Sequence, residues 1–241
     1  MIIKTKAIIL KNIKFGDYDI ISKTYTKTNG IQSFIFKGAR KPSKKKNKKT
    51  LTPLQPLELD FKLNEKQQLR YCKDFKVHQP LLSLLTDLSK QTISIYIADL
   101  LNECIKEEQA DEELFDFIWH SLHYLNSLED SVANFHLAFT VKLMSFLGIY
   151  PLEDRLAVNK HYDYSVNEWL IEEPPHPNYF SPRQLYIMER LNTLNYNENA
   201  DVLTNRIDRN NFLLNLLQFY RFQLEGMRTL KSVEVLETVF A

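Results

Sequence analysis

The sequence predicts an α+β multidomain protein in which a small N-terminal β-barrel is followed by an α-helical bundle. Three observations carry this reading. Apolar residues alternate at period two through the first 80 residues and recur at three-to-four spacing beyond them. Charge divides at the same point: residues 1–80 contain nineteen Lys and Arg against six Asp and Glu, a net of +13, while residues 81–241 contain twelve against twenty-four, a net of −12. His78-Gln79-Pro80 punctuates the change. The formal net charge of +1 is therefore the remainder of two large opposite charges, and it is residues 1–80 that suit an anionic partner.

Each strand follows from its local pattern. Thr5, Ala7 and Ile9 alternate with Lys4, Lys6 and Ile8, and after the Gly16-Asp17 turn residues 20–26 form a second β-rich run. Asn29-Gly30 tolerates positive φ and turns the chain into a third run, Ile31 to Lys37. Leu57, Leu59, Phe61 and Leu63 alternate with Glu58, Asp60 and Lys62 in the fourth. Leu69, Tyr71, Phe75 and Val77 repeat the pattern in the fifth, after Asn64-Glu65-Lys66. Five short strands protect their edges most readily by closing. The OB-fold is the commonest five-stranded barrel, with an SH3-like barrel as the other closure.

OB barrels bind oligonucleotides through a basic groove that tracks phosphates and aromatic side chains that stack on bases. Between the third and fourth strands lies Lys37-Gly38-Ala39-Arg40-Lys41-Pro42-Ser43-Lys44-Lys45-Lys46-Asn47-Lys48-Lys49, in which eight of thirteen residues are basic and none acidic. Lys37, Arg40, Lys41, Lys44, Lys45, Lys46, Lys48 and Lys49 are the expected phosphate ligands, assisted by Lys11, Lys14 and Arg70 around the barrel. Phe15, Tyr18, Tyr25, Phe34, Phe36 and Tyr71 are the candidates for stacking. Strands this apolar need most of them as core, so one or two are expected to face a nucleic acid. Phe34 and Phe36 share one strand face and Ile31, Ser33 and Ile35 the other, and alternation leaves open which is inward.

Beyond Pro80 the pattern is helical. Leu81 to Lys106 carries apolar residues at helical spacing, and residues 111–127 begin with Asp111 as N-cap and present Leu114, Phe115, Ile118, Trp119, Leu122 and Leu125 as one stripe. A third helix runs from Ser131 to Leu147 and stops at Gly148 before Pro151. Ser181-Pro182-Arg183-Gln184 is a capping-box start with proline at the first helical position. A last helix spans Thr204 to Glu225. Between them residues 152–180 form an irregular insert: Pro174-Pro175-His176-Pro177 prevents a helix, and Tyr162, Tyr164, Trp169 and Leu170-Ile171 suit a short β excursion packed on the bundle.

Several chemistries are excluded. The five glycines, at 16, 30, 38, 148 and 226, fit neither GxxxxGK nor GxGxxG, and no GxSxG occurs. Cys72 and Cys104 form no CxxC pair and are expected to be reduced and buried. His120 and His123 stand at i and i+3, with His161 and His176 in the insert, but no HExxH, cysteine pair or carboxylate accompanies them, so they read as ordinary histidines. Glu58-Leu59-Asp60-Phe61-Lys62 has the DxK core of some metal-dependent nucleases, yet alternating charge is what any solvent-facing strand displays. The acidic groups Glu107-Glu108, Asp111 to Glu113 and Glu172-Glu173 fall at helix ends or in loops. No catalytic residue, metal ligand or cofactor is assigned. The run Ala7-Ile8-Ile9-Leu10 is too short for a signal peptide or membrane span, so a cytoplasmic protein without membrane association is expected.

The order of these features resembles the RecO family of bacterial recombination mediators. The matching parts are Thr5-Lys6-Ala7-Ile8-Ile9-Leu10, the Gly16-Asp17 turn, Lys37-Gly38-Ala39-Arg40-Lys41-Pro42, Leu54-Gln55-Pro56-Leu57 and Leu147-Gly148-Ile149-Tyr150-Pro151. The resemblance implies an OB-fold that binds single- and double-stranded DNA at the nucleoid and a non-enzymatic protein that anneals complementary strands. It further implies cooperation with RecR to load RecA on DNA coated by single-strand binding protein, whose acidic C-terminal tail docks on the helical domain. Cations near an aromatic-rich helix, Arg206, Arg209 and Arg221, are the candidates for that tail. Many relatives carry a four-cysteine zinc module after the Leu-Gly-Tyr-Pro-like segment, whereas residues 152–180 here contain no cysteine. The insert is therefore expected to bind no zinc and to pack by aromatic and apolar contacts. The other reading of the barrel is an RNA-binding OB protein of translation or RNA processing.

Overall fold

Alternation at period two gives five strands: β1 (Ile2–Phe15), β2 (Asp19–Thr26), β3 (Gly30–Phe36), β4 (Pro56–Lys62) and β5 (Leu69–Val77). The computed structural model describes residues 2–41, 51–62, 69–106, 109–129, 131–151, 159–198 and 201–240. The strands close into a barrel in the order β1-β2-β3-β5-β4, antiparallel throughout except for the β3/β5 pair. β1 serves two partners, pairing with β4 over Ile2 to Ile8 and with β2 over Ala7 to Phe15. A strand shared in this way must bend, and the register shift between Ile9 and Lys11 supplies the bulge that bends it. The closure is of the OB type.

The interior is filled by Ala7, Ile9, Phe34, Phe36, Leu51, Leu57, Leu59 and Phe61. Closure thus settles what alternation left open: the Phe34/Phe36 face is inward, with Phe34 edge-on to Phe61 at 5.0 Å and Phe36 edge-on to Phe75 at 5.0 Å. Burial of each such ring stabilises by about 1.5–3 kcal/mol. Cys104 is buried, but Cys72 is only half-buried, contrary to expectation, because most of β5 is incompletely covered.

The chain divides by packing into two units, Met1–Ser127 and Leu128–Ala241. The first holds the barrel and three helices, α1 (Ser83–Thr86), α2 (Leu88–Cys104) and α3 (Glu112–Ser127). The helix predicted over Leu81 to Lys106 is broken at Asp87, whose extended backbone interrupts it and whose side chain accepts from the Lys90 amide to cap α2. Asp111 caps α3 in the same way, accepting from the Leu114 amide at 2.9 Å. The packing unit runs past Pro80 because outward groups of β2 hold the helices: Tyr25 packs on Phe115 at 5.8 Å and donates to the Asp111 carbonyl.

The second unit is built on α4 (Phe135–Phe146), most of whose residues are buried. It ends in a Schellman motif, with Gly148 at φ +67° and the Ile149 amide bonded to the Met144 carbonyl. Further helices are α5 (Pro182–Thr193), which starts with the full Ser181/Gln184 capping box, α6 (Arg206–Gln223) and α7 (Ser232–Val239). A short 3₁₀ turn spans Tyr196–Glu198. Sequence periodicity did not mark α7, which is only eight residues long. The insert forms a small antiparallel sheet, β6 (His161–Asp163), β7 (Glu168–Leu170) and β8 (Tyr179–Phe180), in the order β7-β6-β8. As expected it packs through aromatic rings: Tyr164 and Phe180 lie 5.5 and 5.3 Å from Phe219 of α6.

Candidate nucleic-acid interface

The bulge in β1 decides which cations reach the surface. Ile9 is part of the core, so an unbroken alternation would turn Lys11 inward as well. The inserted Leu10 inverts the faces beyond it: Asn12 turns inward, where Ser22 donates to its Oδ1 and its Nδ2 donates to the Leu51 carbonyl. Lys11, Ile13 and Phe15 therefore share the outer face. Register then aligns Ile13, Ile21, Ile35 and Tyr71 as one row across β1, β2, β3 and β5, with Ile13 and Tyr71 largely exposed at its two ends.

Two turns meet at one end of this face. Gly16 and Gly38 adopt φ +52° and +65°, conformations that favour glycine. The Gly38 amide donates to Asp19 Oδ1 at 2.7 Å, the Arg40 amide to the Tyr18 carbonyl at 2.8 Å and Arg40 Nη1 to the Gly16 carbonyl at 3.3 Å. These bonds fix the start of the basic segment against the β1–β2 hairpin and bring Arg40 and Lys41 beside Gly16 and Tyr18. Lys37 Nζ lies 4.5 Å from the Tyr71 ring centroid and Lys41 Nζ 5.8 Å from that of Tyr18. An open cleft of about 380 Å³ adjoins them, lined by Phe36, Lys37, Tyr71, Lys73, Asp74 and Phe75 among others.

Of the predicted cations, Lys11, Lys14, Lys37 and Lys41 are exposed and Arg40 is half-exposed, and none forms an ion pair among the described residues. Lys14 stands on the opposite face of the hairpin from Lys11, because register pairs it with Ile20 on the core side. Arg70 is opposite Phe34 and so on the inner face of β5, half-buried, with its Nε enclosed. Lys44, Lys45, Lys46, Lys48 and Lys49 lie outside the described residues.

Other cations of the barrel are spent on structure. Lys23, directly opposite Lys11, turns its Nζ to the Asn102 carbonyl and side chain and the Ile105 carbonyl at the C-terminal end of α2. Lys27 pairs with Asp116 at 2.7 Å, whose hydrogen bond raises the lysine above its ordinary pKa. Lys4 pairs with Asp60, and Lys6 sits 4.9 Å from the Trp119 ring centroid. Glu58 accepts from His78 Nδ1 at 2.8 Å, which holds its carboxyl below the usual range. Both carboxylates of the DxK-like strand are thus engaged by cationic or imidazole groups.

The aromatic candidates divide evenly. Tyr25, Phe34 and Phe36 are buried, whereas Phe15, Tyr18 and Tyr71 are 47%, 47% and 57% exposed. In the second unit, Arg206 and Arg209 occupy the first turn of α6 and Arg221 the last, about 22 Å apart at 1.5 Å per residue. Arg206 donates to the Glu237 carbonyl, Arg209 to the Leu203 and Thr204 carbonyls and Arg221 to the Gln218 side chain. The three do not form one cluster. His120 is exposed, while His123 packs on Trp119 and burial lowers its pKa, so the two do not converge.

The fold defines an OB-barrel protein with exposed cations around its β1–β2 hairpin, followed by helices. Comparison with known proteins agrees with this. The family model described as "Recombination protein O N terminal" matches residues 1–81 and the one described as "Recombination protein O C terminal" matches residues 85–233. Curated proteins named DNA repair protein RecO are similar over the full length of both chains: 30% identical in Azobacteroides pseudotrichonymphae, 31% in Christiangramia forsetii and 30% in Flavobacterium psychrophilum. The chain belongs to the RecO family of DNA repair proteins. No helix among the described residues is long and apolar enough to cross a membrane.

Proposed function

We propose that residues 1–80 hold single- and double-stranded DNA without reading sequence, and that the protein anneals complementary strands and acts with RecR to load RecA on strands coated by single-strand binding protein. The observation that supports this best is the partition of the barrel's cations. Those beside α2 and α3 are bonded within the unit, whereas Lys11, Lys14, Lys37, Arg40 and Lys41 at the hairpin end keep their charge for an outside anion. Lys44, Lys45, Lys46, Lys48 and Lys49 extend the same segment in sequence. A surface of this kind screens two phosphate backbones at once and leaves base edges free to pair.

Annealing of complementary labelled oligonucleotides, bare and coated with single-strand binding protein, tests this reading. Acceleration of both reactions is expected, and no acceleration at DNA-saturating protein would overturn it. Matched RNA should compete about as well as DNA, since phosphate tracking ignores the 2′-OH; strong RNA preference would favour an RNA-processing role. For the partner's acidic C-terminal tail we favour α6, with Arg206, Arg209 and Arg221 as candidate contacts. Arg221→Ala and Arg206→Ala, compared for binding of the tail peptide, distinguish its two ends.

A further inference from the structure

We infer that Tyr71, with Tyr18 as a second ring, distinguishes single-stranded from double-stranded nucleic acid by stacking on unpaired bases; this rests on the DNA-binding reading above. Tyr71 is more than half exposed, although the strand that carries it closes the barrel. Its register partner Ile35 places it on the outer face, at the end of the Ile13, Ile21, Ile35 row. The ring is thus available without any rearrangement of the core.

Its surroundings supply what a nucleotide needs besides the stack. Lys37 Nζ is 4.5 Å from the ring centroid, and Lys73 lines the same cleft. Asp74 also lines it, but its Oδ1 accepts the Phe75 amide at 2.8 Å, and two cations oppose its one charge. A lysine lying over an aromatic face is an exchangeable occupant. It can move to a phosphate while a base takes its place on the ring. Tyr18 repeats the arrangement with Lys41, in the turn that Arg40 and Asp19 tie to the basic segment.

Strand selectivity follows from which groups each form of DNA exposes. Phosphates are available in single strands and duplexes alike, so the lysines bind both. Base faces are free only in single strands; in a duplex they are stacked on their neighbours and must be extruded at a cost before a tyrosine can reach them. The lysines therefore set affinity, and the tyrosines set preference.

The test uses the full chain with Tyr71→Ala, Tyr71→Phe and Tyr18→Ala, titrated with a labelled oligothymidine and with a labelled duplex of equal length. Tyr71→Ala should weaken single-strand binding about tenfold, leave duplex binding within about twofold and leave the salt slope unchanged. Tyr71→Phe should restore single-strand binding because it keeps the ring. Equal loss on both forms, or undiminished single-strand binding, would overturn the assignment. If the unaltered chain binds neither form, the DNA-binding reading fails first, and that result is distinguishable from failure of the tyrosine assignment alone.

Discussion

At the scale of single residues, position in the fold decides what a titratable or polar group does. His136 is buried in α4, and burial, with Arg209 as a lesser contributor, pushes its pKa down to about 3. Between the ordinary value of 6.5 and about 3 the unfolded chain therefore binds a proton that the folded chain refuses. Stability must fall as pH drops through that window, by up to ~1.4 kcal/mol per pH unit. Urea titrations across it should give a shallower pH dependence for His136→Gln than for the unaltered chain. Asp19 shows the same dependence on position for binding. It accepts the Gly38 amide that anchors the basic segment. Asp19→Ala should lower stability by about 1–2 kcal/mol. In a DNA titration it should also weaken affinity severalfold with no change in salt slope, since every cation remains but their placement is no longer held.

Among elements, those with explicit stop and start residues were legible in the sequence. Ser181 and Gln184 form the capping box their spacing announced, and Gly148 ends α4 as a left-handed glycine. Loss of the cap in Ser181→Ala should cost about 1 kcal/mol, read as a lowered unfolding midpoint. The apolar spacing continues across Asp87, so the local pattern does not mark the carboxylate that starts α2. For the insert, the sequence shows only that its packing on the bundle is aromatic in kind. The contact that carries it is Phe219, within 5.3 to 6.4 Å of Phe180, Tyr164 and Tyr162. Phe219→Ala removes the ring that all three share and should destabilise by about 3–5 kcal/mol, measured by denaturant unfolding. A comparable loss should not follow from Phe222→Ala, whose side chain is partly exposed.

For the whole molecule, the governing quantity is the distribution of charge between the first 80 residues and the rest. If about five phosphates of a single strand are neutralised, the log–log slope of affinity against salt should be roughly −3.5. Replacing Lys44, Lys45, Lys46, Lys48 and Lys49 by Ala should flatten that slope and weaken all sequences alike; a sequence-selective loss would instead mean that bases are read. By itself the sequence determined the five strands, the helices with clear caps, the basic segment and the charge boundary, because periodicity, turn chemistry and net charge are local properties that need no partner. It could not determine which of nineteen cations are available, which aromatics are buried, or that Tyr71, Lys37 and the hairpin meet on one face. Those depend on a single inserted residue at Leu10, on the parallel β3/β5 closure and on α2 and α3 drawing Lys23 and Lys27 to themselves. The reason is physical: a strand's two faces are equivalent until closure buries one of them, and a lysine is free only when no folded neighbour offers it an oxygen.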